Sequence, residues 1–394
     1  MTEWATDVII VGGGVMGCAA AWRLARAGHR VRLLEQFAIG HTQGSSHGPS
    51  RMIRLAYDAP EYVQLGQAAF ALWEELESES GESLLLRTGG INAGLPHANE
   101  MAGIARAYDR LAVPYERLDD AELRHRFPQL RFPEGTIGLY QPDYGILAAS
   151  RCVMTLSAQA RTAGATVHEH EPALEIAPDG DGVAVRTARE TYRAERVILS
   201  AGSWMQPLLS SLGLDLPLTV LQEQLAYFRV RDPDAHGPDR LPLVMHRFPG
   251  TTVLGSVFPI YGHEGVKVML DRIGPAVDPT NSDRRIDPGL LDRLRDYAAE
   301  ILPGTTGEIL ETTSCRYTMT PDEDFIIDRH PEFPQVVFAS PCSGHGFKFA
   351  PVVGQMLADQ AIAGETPYPT AKFRHDRPAL AESWSALGAA RAES

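Results

Sequence analysis

The sequence predicts a mixed α/β chain of two domains interleaved along it, one built on a parallel sheet and one on an antiparallel sheet. Three observations lead there. The chain has 394 residues, more than one ordinary core organises. Its N-terminus reads as strand, glycine turn, helix and strand, and apolar strands ending in small residues return near 194–202 and 335–340. Residues 217–310 instead carry β-branched, alternating runs such as LTVLQEQLAYFRV and TTVLGSVFPI, the mark of antiparallel strands. On this reading 1–87, 144–216 and 311–394 form a discontinuous first domain, and 88–143 with 217–310 form the second.

Taken in order, DVIIV at 7–11 is a short buried strand. A helix follows over 15–27, stopped by Gly28, and a second strand ends at Glu35. Gly12, Gly14 and Gly17 fall as G-x-G-x-x-G between the first strand and the helix. The first glycine permits a tight turn, the second close approach of backbone to a pyrophosphate, the third close helix–strand packing. Glu35 ends the next strand where a carboxylate can accept ribose hydroxyls, so a dinucleotide without a 2′-phosphate is expected. A glycine turn in an unrelated α/β protein is the competing reading. The return of the chain to this domain near 194–202 and 335–363 favours a wrapped FAD over NAD. PDGDG at 178–182 is a hairpin turn, and HEH at 168–170 reads as an exposed strand.

The formal net charge is −14, which argues against a nucleic-acid partner. The early apolar stretch at 8–22 holds four glycines and fits neither a signal peptide nor a membrane span. Cys18, Cys152, Cys315 and Cys342 show no metal-ligand spacing, so no metal is expected. Free thiols, no membrane and a cytoplasmic location are expected. Only three of the 36 basic Lys and Arg residues are lysines: Lys267, Lys348 and Lys372. Arg51, Arg54 and Tyr57 recur at a spacing of three, which places them on one face of a helical turn.

Four blocks carry a family resemblance: DVIIVGGGVMG, HTQGSSHGPSRMIRLAY (41–57), CRYTMTPDEDFIID (315–328) and SGHGFKF (343–349). With them the chain resembles the monomeric sarcosine oxidase group of FAD-dependent amine oxidases, which includes N-methyltryptophan oxidase. The resemblance implies a monomer, a small amino acid substrate and O2 as partners, and hydrogen peroxide as product. It implies that Ser46 and His47 contact the flavin, that Arg51 lies near its ring, and that Cys315 links covalently to it beside Tyr317. It assigns the substrate carboxylate to Arg54 and Lys348, with Gly344 and Gly346 letting backbone approach the flavin. It places Met245 in the pocket wall and Lys267 at the site of reaction with O2, where a compact ammonium suits a small anion better than a guanidinium.

Departures from the pattern bear on the substrate. Leu254 stands where the group carries a tyrosine, Ser256 and Val257 where an aromatic is expected, and Asp271 where sarcosine-type members carry a histidine. A wider site is therefore expected, suited to a bulkier N-methyl or a cyclic secondary amino acid. A flavin-dependent dehydrogenase passing electrons to a carrier, and a flavin-binding protein without catalysis, are the alternative readings.

Overall fold

Val8 and Ile10 point to one side of the first strand, Ile9 and Val11 to the other, and all four are buried. A strand apolar on both faces belongs inside a sheet covered twice. The computed structural model describes residues 6–251 and 253–381; the ends of the expected first domain, 1–5 and 382–394, lie outside the described residues. In it, Val8–Val11 is central to a six-stranded sheet. The order is Ile326–Arg329, Val336–Ser340, Arg196–Leu199, Val8–Val11, Val31–Leu34, Thr166–His168, and only the first of these runs antiparallel to its neighbour. Helices Val15–Arg26, Ala149–Thr162 and Ala350–Ile362 contribute to the core on the side of Val8 and Ile10. A three-stranded antiparallel sheet (Glu175–Asp179, Gly182–Arg186, Thr191–Ala194) shares the core of Ile9 and Val11. Its first turn is the predicted hairpin, with Asp179 opposite Gly182.

The second large sheet has eight strands, ordered Thr305–Met319, Thr219–Val230, Val266–Asp271, Leu254–Phe258, Leu243–Arg247, Gly90–Gly94, Ile137–Gln141, Glu116–Leu118. It is antiparallel except where Leu243–Arg247 runs parallel to Gly90–Gly94. Helix Pro288–Ile301 packs on one face, against Phe228, Val244, Val257 and Val268. The period of two in a strand sends the intervening residues to the opposite face. That face carries Met245, Ser256, Lys267, Met269 and Asp271, and they line a cavity. The lysine's place in an apolar run follows: Val266 and Val268 go to the core and Lys267 to the cavity.

Three expectations change here. The strand Thr305–Met319 crosses the boundary expected at 310/311, so Cys315 and Tyr317 stand on the eight-stranded sheet, held by pairing with Thr219–Val230. Arg51, Arg54 and Tyr57 do not share a helical face. Arg51 opens an extended strand, Arg51–Ile53, whose pairing with Gly145–Leu147 satisfies backbone groups that a lone helical turn would leave open. His168 is not exposed: it is half-buried, 3.2 Å from Glu171.

Two glycines of the first turn are required by geometry. Gly12 has φ +105, and a Cβ there would meet the Ser200 carbonyl at 2.6 Å. A Cβ on Gly17 would lie 1.9 Å from the Gly12 carbonyl oxygen. Gly17→Ala is therefore expected to cost about 1–3 kcal/mol through overpacking and to lower cofactor content. Urea unfolding and the flavin-to-protein absorbance ratio check this; unchanged values would show that the turn relaxes freely.

Candidate functional site

A cavity of about 760 Å³ lies where the two large sheets meet, within the size range of cofactor and ligand sites. Every site residue predicted from sequence lines it except Gly17 and His47, which stand behind the wall. Its parallel-sheet side begins at the glycine turn. Gly14 caps helix Val15–Arg26 without a side-chain cap, and the Val15 N–H donates to Ser46 Oγ at 3.1 Å. The helix terminus thus presents its positive end to the cavity, as a phosphate requires. A Cβ on Gly14 would close to 3.3 Å on Ser46 Oγ, so glycine keeps this groove open. Glu35 is buried and accepts from the Gly13 N–H at 2.6 Å and the Phe37 N–H at 2.8 Å. Each of its oxygens retains a lone pair for a ribose hydroxyl. Cys315, a free thiol in the same cavity wall, completes a set of groups that fits FAD.

The carboxylate-binding candidates meet although the helical turn does not form. Arg54 lies with its guanidinium 4.3 Å from the centre of the Tyr57 ring and donates to the Ala56 carbonyl. The ammonium of Lys348 donates to the Tyr57 hydroxyl at 2.8 Å and to the His345 carbonyl. Burial, and then Arg54, hold the Lys348 pKa well below the usual lysine range. Tyr57 and Tyr62 stack at 5.0 Å, with Phe325 and Phe349 around them, which keeps water from this end. The glycines of SGHGFKF serve protein contacts: a Cβ on Gly344 would strike the Tyr317 ring at 2.6 Å, and one on Gly346 the Pro341 carbonyl oxygen at 1.6 Å. Packing within the protein thus already requires glycine at both positions, and both also line the cavity.

On the antiparallel sheet, Lys267 is 4% exposed. Its ammonium donates to the Ser50 carbonyl at 3.2 Å and to Ser50 Oγ at 3.3 Å, and lies 4.2 Å from the Phe258 ring centre. Burial, and then Arg51, bring its pKa down to about 7. Arg51 donates to the carbonyls of Ser50 and Ser45, both at 2.9 Å, and its guanidinium lies 5.7 Å from the Phe347 ring. Asp271 accepts from the Tyr317 hydroxyl at 2.9 Å, and burial raises its pKa against the pull of Arg272. Arg272 has φ +69 and pairs with Glu323 at 2.7 Å. Met245 accepts from Ser256 Oγ at 3.3 Å. His47 meets Arg284 at 3.2 Å, and burial, then Arg51, drive its pKa to about 3.

The expected loss of aromatic lining is only partial. Val257 turns into the core, but Phe258 lines the cavity under Lys267. Counting by two from Leu254 would have found it. Sequence reasoning also passed over His345, which joins Tyr57 Oη at 3.2 Å to the Glu323 carbonyl at 3.1 Å, although it stands inside the SGHGFKF block. It did not pair Arg247 with Glu100, which bridge strand Leu243–Arg247 and helix Asn99–Arg110 beside the cavity. A partner 147 residues away leaves no local signal.

Comparisons with known proteins match most of the chain. The FAD dependent oxidoreductase family model matches residues 7–360. The monomeric sarcosine oxidase of Streptomyces avermitilis is 37% identical over 385 residues, 95% of this chain and 98% of that one. The N-methyl-L-tryptophan oxidase of Salmonella arizonae is 33% identical over 375 residues, 94% and 98% of the two chains. Among solved structures, the open form of NikD, an unusual amino acid oxidase essential for nikkomycin biosynthesis, superposes with TM-score 0.82 at 29% identity, covering 95% of this chain and 98% of that one.

Proposed function

The chain belongs to the FAD-dependent oxidoreductase family and is an FAD-dependent amine oxidoreductase, and from that premise we propose that it oxidises the C–N bond of a secondary amino acid, N-methyl or cyclic, with O2 as electron acceptor. The observation that carries this is the convergence of Arg54, Lys348, Asp271 and Lys267 on one cavity. FAD supplies the two-electron acceptor that turns an amine into an imine. Gly12, Gly14, Glu35 and Ser46 would hold its dinucleotide part, with Gly17 and His47 supporting them. Arg51, Cys315, Gly344 and Gly346 would hold its ring, Cys315 through a thioether.

The protein's own groups divide the remaining work. Arg54 offers a planar fork to a carboxylate, and Lys348 adds a point charge. Both are buried, so an arriving carboxylate supplies the anion they lack. The Asp271 carboxyl, oriented by Tyr317, would accept the substrate N–H and so select among amines. Leu254, Ser256 and Met245 leave room for a substituent on nitrogen or a ring. Lys267 presents a small ammonium for the negative charge that O2 acquires. In this reading residues 88–143 and 217–310, together with the strand through Cys315, form the substrate side. The relatives' names support a small-molecule substrate and a monomer. Among the described residues no helix is long and apolar enough to cross a membrane, and the four unpaired thiols fit a reducing cytoplasm.

An anaerobic flavin-reduction screen tests the substrate: larger N-methyl and cyclic amino acids are expected to reduce the enzyme faster than sarcosine, and the reverse order would overturn the choice. Peroxide release separates an oxidase from a carrier-linked dehydrogenase. Lys267→Met is expected to slow flavin reoxidation by about 10²–10³-fold while sparing reduction; equal loss in both half-reactions would make the role structural. Because the lowered pKa leaves the ammonium half charged near pH 7 and mostly neutral above it, reoxidation should slow as pH rises past that value. Acid-precipitated wild-type protein should stay yellow and Cys315→Ala should not; a colourless wild-type pellet would defeat the thioether.

A further inference from the structure

Glu223 stands on strand Thr219–Val230 directly opposite Cys315. Directly opposed residues of an antiparallel pair share a face, with Cβ atoms about 4.5–5.5 Å apart. The glutamate is 0% exposed. Its Oε1 accepts from the Gly274 N–H at 3.2 Å, while Oε2 is buried with no hydrogen-bond partner among the described residues. Burial, and then Asp271, push its pKa up to about 7 against the pull of the backbone N–H groups of Gly274, Ile273 and Arg272. Burial pushes the Cys315 thiol up to about 12, so at neutral pH the thiolate is present in on the order of one molecule in 10⁵. Only the thiolate is a competent nucleophile, so a thioether at this residue needs a local base.

The other charged groups that act on the thiol do not supply one. Arg51 is a cation that stabilises a thiolate, and the Lys267 nitrogen is engaged by the Ser50 carbonyl and Ser50 Oγ. Asp271, on the strand beyond Thr219–Val230, is held by Tyr317. We propose that Glu223 is the proton acceptor for Cys315 when the thioether to the flavin forms, a proposal that rests on the covalent reading above. The thiol proton goes to Glu223 Oε2 and the sulfur lone pair forms the bond to the 8α carbon. That carbon loses one C–H hydrogen, the ring gains two electrons and two protons in all, and Glu223 returns its proton in that balance. O2 then takes up the two electrons and two protons as H2O2.

The test follows covalent attachment rather than turnover. Full-length apoprotein from riboflavin-depleted cells is mixed with FAD in air, and the covalent adduct is followed by intact mass and by flavin fluorescence in denaturing gels. Glu223→Gln keeps an acceptor for the Gly274 N–H and is expected to form the adduct at least tenfold more slowly, with unfolding temperature and non-covalent FAD binding unchanged. Glu223→Asp should recover part of the rate, and alkaline pH should restore the Gln variant. Adduct formation by Glu223→Gln at the wild-type rate would overturn the proposal. Should that variant fail to fold, the wild-type pH profile decides. A plateau above about pH 7 that persists in Lys267→Met, with Asp271, Tyr317 and Arg51 as the remaining charged or titrating neighbours, supports the proposal. A rate still rising in proportion to hydroxide at pH 9 overturns it. Wild-type protein with no adduct would overturn the thioether reading itself, and the proposal with it.

Discussion

Three cations, Arg54, Lys267 and Lys348, are buried around one cavity, each at most 6% exposed, and among the described residues none of the three has a carboxylate ion pair. A buried unpaired charge is among the least favourable things a fold can contain. What holds each is a set of dipoles and rings: Ala56 and Tyr57 for Arg54, Ser50 and Phe258 for Lys267, Tyr57 and the His345 carbonyl for Lys348. The arrangement leaves these basic groups on the cavity wall without a carboxylate ion pair among the described residues. The pKa values of both lysines fall for the same reason, since burial disfavours the charged form.

The rest of the structure keeps these groups in place. The pleat of the eight-stranded sheet sets Lys267, Met269 and Asp271 on one face and packs Val266, Val268 and Leu270 into the core beneath helix Pro288–Ile301. A slip of one residue would exchange the two sets. The Arg51–Ile53 strand brings Ser50 within reach of Lys267, and the loop before helix Ala350–Ile362 brings Lys348 to Tyr57. A Trp73 indole donates to the Lys348 carbonyl at 2.8 Å, so the long helix Pro60–Ser80 also steadies that loop.

Much of this was legible one residue at a time. The glycine turn was readable from its G-x-G-x-x-G spacing and from the Gly17 clash with the Gly12 carbonyl five residues back, although the Gly12 constraint comes from Ser200 on a distant strand. The scarcity of lysine singled out Lys267 and Lys348. The spacing of Arg51, Arg54 and Tyr57 misled, since three residues recur equally in a helical turn and in a strand followed by a bend, and the pairing with Gly145–Leu147 decides between them. Glu223 gave no signal: a glutamate in a β-run looks like a solvated face until the neighbouring strand is known.

By itself, then, the amino-acid order determined the local pieces: the glycine turn, most strands and helices, the cysteine of the C-x-Y-T block and the three rare lysines. Those are set by periodicity, glycine sterics and side-chain chemistry within a short window. Only the tertiary structure decided that the strand through Cys315 belongs to the antiparallel sheet, that Glu223 faces the thiol, and that Glu100 meets Arg247. Each of these depends on strand register and on contacts across tens to hundreds of residues, where burial raises the strength of every charge and hydrogen bond that no local pattern can record.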